Sequence, residues 1–108
     1  MNSTITALTA LFDRIPRRHS LDNVKEMNSI LSEYEEALIT IEGLNAWYEK
    51  KIPVFFDELE NVRSIMKKSI DNKASKKNKD QYFDEASGKL KDSMEAVIAL
   101  YGDGTRTG

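Results

Sequence analysis

Apolar residues recur every three or four positions along most of this chain, a spacing that predicts four helices and no strand. From about Thr4 to Ile15, the residues Ile5, Leu8, Leu11, Phe12 and Ile15 fall on one face. Ser3 is positioned to cap this helix, and Pro16 ends it by forcing the preceding residue out of helical geometry. The longest pattern begins after Ser20, a second cap, with Asp22 placed favourably in the first turn. Val24, Met27, Leu31, Tyr34, Leu38, Ile41, Asn45 and Tyr48 then alternate in threes and fours, which is a heptad seam. Ile30, Ala37 and Leu44 widen it on one side. The spacing predicts a single helix over 21–50, roughly 45 Å long, with Gly43 an interior weak point costing about 1 kcal/mol relative to alanine.

Pro53 suits the first turn of a third helix, where its missing N–H is harmless. Phe55, Leu59, Val62 and Met66 form its inner line, with Phe56 and Ile70 beside them. A fourth helix is expected to start near Asp80 and to bury Phe83, Leu90, Met94, Val97 and Tyr101. Gly102 stands where a left-handed cap belongs. The expected architecture is all-α, a small antiparallel helical bundle of three longer helices plus a short N-terminal helix. It occupies residues 1–102 as one domain, and residues 103–108 form a flexible tail.

Composition narrows the function more than the fold. The chain has 108 residues and no cysteine, which removes thiolate nucleophiles, disulfides and cysteine-based zinc sites. No apolar run reaches the ~18 residues needed to span a bilayer, and no basic residue precedes the modest apolar stretch at the N-terminus. A cytoplasmic location without a membrane partner is the expectation. His19 is the sole histidine. It has no second imidazole with which to share a metal, and it reads as a loop residue. Glu33 and Glu36 are neighbours on a helix, but the Glu-x-x-His pairs of di-iron bundles are missing. "GDGTRTG" has no lysine and no following helix, so it is no phosphate loop. Neither enzyme, metal site nor cofactor is expected.

Charge is unevenly placed. Lys and Arg total 16 and Asp and Glu 18, a net charge of −2. From Arg63 to Gln81 there are seven bases and two acids, whereas from Glu33 to Glu60 there are eight acids and two lysines. Arg17, Arg18, Lys67, Lys68, Lys73, Lys76, Lys77 and Lys79 are the candidate nucleic-acid contacts, with the basic segment 63–79 at their centre. The run lacks aromatic residues for stacking and reads first as a solvated connection, so nucleic acid is the second choice of partner. The acidic and basic stretches are complementary, within one molecule, between copies or across an interface.

Trp47 falls away from the Tyr34–Leu38–Ile41 line, where an aromatic residue is either an interface anchor or covered by the short first helix or by the turn before Pro53. Asn45, within the seam, either sets register or lies where the helix end meets water. With Tyr48 beside them, both are candidate protein-binding residues.

The closing stretch "KLKDSMEAVIALYGDG" ends an apolar stripe with Tyr-Gly, and "SEYEEAL" lies on the long acidic helix. In both features the chain resembles flagellar and type III export chaperones of the FlgN/FliT kind. The resemblance implies a small helical bundle that holds a secretion substrate by helix-to-helix contact, with Leu90, Met94, Val97 and Tyr101 the positions to suspect. The leading expectation is therefore a non-enzymatic interaction module: an adaptor, export chaperone or inhibitor acting on another protein. A homodimer is expected if three helices leave the seam partly uncovered.

Overall fold

The structure, a computed structural model, describes residues 3–107, with the side chains of residues 4–102. Among the described residues there are five helices and no strand: α1 (Ser3–Arg14), α2 (Leu21–Glu42), α3 (Ala46–Lys51), α4 (Pro53–Ser69) and α5 (Lys76–Thr107). The all-α expectation holds, while several helix boundaries differ from those the spacing predicts. None of the described helices is long and apolar enough to cross a membrane.

The start of α2 follows the local chemistry. Ser20 has an extended backbone, and its hydroxyl accepts the Asn23 N–H at 3.1 Å. The end of α2 is a correction. The expected helix over 21–50 stops at Glu42, and the chain turns through Gly43 and Leu44 before α3 begins. Gly43 keeps a right-handed backbone (φ −78°), and Asn45 carries the extended residue of the turn (φ −166°). Asn45 is therefore no seam residue. Its side-chain oxygen accepts the Tyr48 N–H at 3.0 Å and caps α3. A weak helical position at Gly43 followed two residues later by a strong cap favours two helices over one.

That turn redirects Tyr48. Its ring stacks on Tyr101 at a centroid separation of 5.7 Å, and its hydroxyl donates to the Tyr101 carbonyl at 3.1 Å. Burial of the phenol pushes its pKa up from the ordinary value. Replacing Asn45 by alanine should remove about 1 kcal/mol of stability, lowering the melting temperature by roughly 4–8 °C. Serine or aspartate at the same position should restore most of it, as read by thermal circular dichroism.

The passage from α3 to α4 is tighter than a loop. Ile52 stays in the right-handed helical region (φ −73°, ψ −33°) and donates its N–H to the Tyr48 carbonyl at 2.9 Å. Pro53 occupies the first turn of α4, as expected. Ile52 is completely buried, and it continues a Tyr48–Ile52–Phe55–Leu59 line across the joint.

The start of α5 lies at Lys76, four residues before the expected Asp80, because Ser75 supplies an earlier cap: its hydroxyl accepts the Asn78 N–H at 3.2 Å. At the other end Gly102 does not stop the helix. The backbone stays helical to Thr107, and no described glycine has a positive φ. The expected flexible tail begins where α5 is still helical, and Gly108 lies outside the described residues. The Ser3 side chain, expected as a cap, also lies outside them.

All five helices contribute to one buried apolar cluster. Of the seam, Val24, Met27, Ile30, Leu31, Tyr34, Leu38 and Ile41 are buried, but Leu44 is not. The most extensive pairing is α4 on α5. The α2 helix packs on α1, α3 and α4, and α1 also reaches α5. Besides the Tyr48–Tyr101 bond, Tyr34 and Ser93 share a hydrogen bond of 2.7 Å in the interior, and the Ser87 hydroxyl donates to the Pro16 carbonyl at 2.9 Å. The molecule is elongated, 49 × 24 × 17 Å.

Candidate interaction surfaces

The two ends of the molecule differ in chemistry. About 27 Å of α5 (eighteen residues at ~1.5 Å each) separates Phe83, which meets the edge of the His19 ring, from Tyr101, which stacks on Tyr48. The Tyr101 end carries α3 and the joint into α4. The Phe83 end carries the 15–20 connection, the end of α4 and the start of α5.

At the α3 end, Leu44 is 52% exposed, Trp47 37% and Val54 53%. Trp47, Lys51 and Val54 follow spacings of four and three across a joint that stays helical, which sets them along one side. Trp47 is partly covered: its ring meets Tyr48 edge-on at 5.2 Å, and the Lys51 ammonium sits 5.9 Å from its centroid. Over a third of the Trp47 surface remains exposed. Val54 carried no signal in the seam pattern, and Leu44 is exposed because the seam ends at Ile41.

The other suspected binding residues lie inside. Leu90, Met94 and Val97 have no exposed surface, and Tyr101 is buried beside Tyr48. They form the inner line of α5, available to another protein only if α5 moves off α4. Of the α3 candidates, Tyr48 is buried, Asn45 is engaged as a cap, and Trp47 alone combines size with access.

Part of the charge complementarity is resolved within the chain. The Arg63 guanidinium donates to Glu35 at 3.1 Å and to Glu60 at 2.9 Å, joining α4 to α2. Its hydrogen bonds to Glu35 hold that carboxyl below its ordinary pKa and raise that of the arginine. Arg14 does the same between α1 and α2, donating to Glu26 at 2.6 Å and Glu33 at 2.8 Å. These groups are substantially exposed, so each pair adds little stability; they set how the helices align. Glu33, half of the Glu33–Glu36 pair, is thereby committed to Arg14. No three described His, Asp or Glu side chains are grouped so that they could hold a metal ion.

A second group of cations lies at the Phe83 end. His19 lies 3.7 Å from the Asp80 carboxylate and edge-on to Phe83. With the Ser87–Pro16 bond, this seats the connection bearing Arg17 and Arg18 beside the start of α5. Lys68 reaches over the Tyr82 ring, 5.8 Å from its centroid. Lys67 lines a recess between α2 and α4 with Val24, Met66 and Ile70. Lys73, Lys76 and Lys77 are exposed, and Lys79 is half-buried. Segments far apart in sequence, 17–18 and 67–79, thus share one end. Sequence spacing held no sign of that convergence, since it depends on where the connection after α1 docks.

No protein-family model matches the chain, and no curated protein or solved structure matches it either.

Proposed function

We propose that the chain is a non-enzymatic helical module that binds another protein through the corner formed by α2, α3 and α4. The observation behind this reading is the exposure of Leu44, Trp47 and Val54 around one joint, next to a well-filled interior. A partner helix laid across the corner would cover these side chains, with Trp47 as the anchor and Glu42, Glu49, Lys50 and Lys51 as the polar rim. In this reading α2, α4 and α5 run antiparallel to their neighbours, and rigidity is the bundle's contribution: the corner is presented without an ordering cost on binding. An adaptor, a cytoplasmic export chaperone holding a helical substrate segment, or an inhibitor of a partner complex all use this physics.

The test is a photo-crosslinking residue at position 44 or 54 in the native cell, combined with the double change Leu44→Ser and Trp47→Ala. The expected result is a discrete crosslinked protein. The purified partner should bind the unaltered chain and lose at least tenfold in affinity for the double variant, whose circular dichroism is unchanged. Crosslinks appearing only to a second copy, with a doubled mass by light scattering that the double variant lacks, would replace this reading with a homodimer. Equal partner affinity for both chains would remove the corner from the interface.

A further inference from the structure

Beyond that reading, the opposite end supports a second contact: we infer that Arg17, Arg18, Lys67, Lys73, Lys76 and Lys77 bind the phosphate backbone of a nucleic-acid duplex. Three separate segments bring these cations together. The docking of the 15–20 connection against α5, through His19 and the Ser87–Pro16 hydrogen bond, places the two arginines beside the Asp80–Ser87 stretch of α5, about one to three turns after Lys76. The turn after α4 adds the lysines.

What sets these groups apart is their lack of internal partners. Arg14 and Arg63 each hold two carboxylates. None of the six cations at this end makes a described ion pair, and all six are exposed. Two of the nearby acids are engaged elsewhere, while Asp84 lines the same recess as Lys76 and Lys77. Asp80 faces His19, and the Asp71 carboxylate accepts the Lys73 backbone N–H at 2.9 Å, shaping the turn.

Lys76 and Lys77 also sit where helix physics disfavours them. The first turn of α5 has no acidic residue. Its unpaired N–H groups already carry partial positive charge, which lysines there aggravate. A local rule broken with no described ion pair to offset it points to an external partner. A phosphate chain supplies it, since it neutralises the lysines and the helix end together.

A duplex fits better than the other polyanions. The aromatic residues at this end are Tyr82, half-buried under Lys68, and Phe83, fully buried, so no ring is free to stack on single-stranded bases. Exposed apolar side chains do occur here, Leu21 and Ile70. Each is followed directly by an aspartate, Asp22 and Asp71, which an anionic bilayer would repel as the apolar tip entered. Contacts made to phosphates carry no sequence information, so this mode of binding has no sequence preference.

Fluorescence anisotropy with a labelled mixed-sequence DNA duplex tests this. Binding by the full chain should be measurable near 50 mM salt. If about four phosphates are engaged, affinity should fall roughly 100-fold by 200 mM. The double change Lys76→Glu and Lys77→Glu should weaken binding at least tenfold, with a melting temperature unchanged or higher, because acids suit that helix end. Arg18→Ala should weaken binding with the fold intact, and Leu21→Ser should leave it unaltered. No duplex binding near 50 mM salt, or affinity untouched by the lysine changes, would overturn the inference. Tighter binding to a single strand would overturn the duplex assignment. Binding instead to phosphatidylserine vesicles, lost in Leu21→Ser, would assign the end to a bilayer.

Discussion

Leu90→Ala is expected to destabilise the fold by about 2–5 kcal/mol, the usual cost of cutting a fully buried leucine to alanine. Leu90 has no exposed surface and sits on the inner line of α5 between Phe83 and Met94. Truncation would lose the transfer energy of the removed carbons and leave a void that the helices on either side cannot close. Each kcal/mol should lower the melting temperature by roughly 4–8 °C for a domain of this size, so the shift should be large. The same experiment separates two roles for this stripe. If Leu90 belongs to the interior alone, chemical denaturation shows the loss, and partner binding by the remaining folded fraction is unaltered. If α5 swings away to expose its inner line to a partner, Leu90→Ala weakens binding even when corrected for the folded fraction.

A second large effect is expected at the hydrogen bond between Tyr34 and Ser93, 2.7 Å long and buried between α2 and α5. Tyr34→Phe leaves the Ser93 hydroxyl without that partner in a dry site, at a cost of about 1–3 kcal/mol. Ser93→Ala strands the tyrosine hydroxyl instead. The double variant should be less damaged than the sum of the two, with a coupling of about 0.5–3 kcal/mol by urea unfolding. The pair also has a pH signature. Burial pushes the Tyr34 phenol well above its ordinary pKa, against a smaller opposing pull from Ser93. A folded value above the unfolded one means that the unfolded chain ionises first. The contribution of Tyr34 is therefore complete below about pH 10 and is lost as pH rises toward the folded value. Stability should fall there by up to about 1.4 kcal/mol per pH unit from this residue, and Tyr34→Phe should remove that share of the slope.

The seam from Val24 to Ile41 was legible in the sequence because burial in a helix obeys a fixed period, and the structure buries each of those residues. Ser20 and Pro53 were legible because their chemistry is local. The break after Glu42 was not, although its parts were visible. A heptad rhythm that runs through Gly43 and Asn45 matches one helix and two helices equally; the choice lies in whether Tyr48 gains more from Tyr101 than from continuing the seam. At Lys76 the charge pattern obscured a plain serine cap. The sides of the molecule were harder still. Leu44, Trp47 and Val54 share an end because Ile52 remains helical, and Arg17 is carried against α5 because its connection docks through Pro16 and His19. Both are tertiary facts, and neither leaves a periodic trace.

The bond from Tyr48 to Tyr101 spans a sequence separation of 53 residues. A helix as short as α3, six residues, cannot persist in water unaided. During synthesis the contact between Tyr48 and Tyr101 must therefore wait for the far end of α5, a delay of about 3–10 s at ordinary elongation rates. Through that interval Tyr48 lacks the ring that stacks on it in the folded chain, and it is then that a holding chaperone has its longest opportunity to engage it.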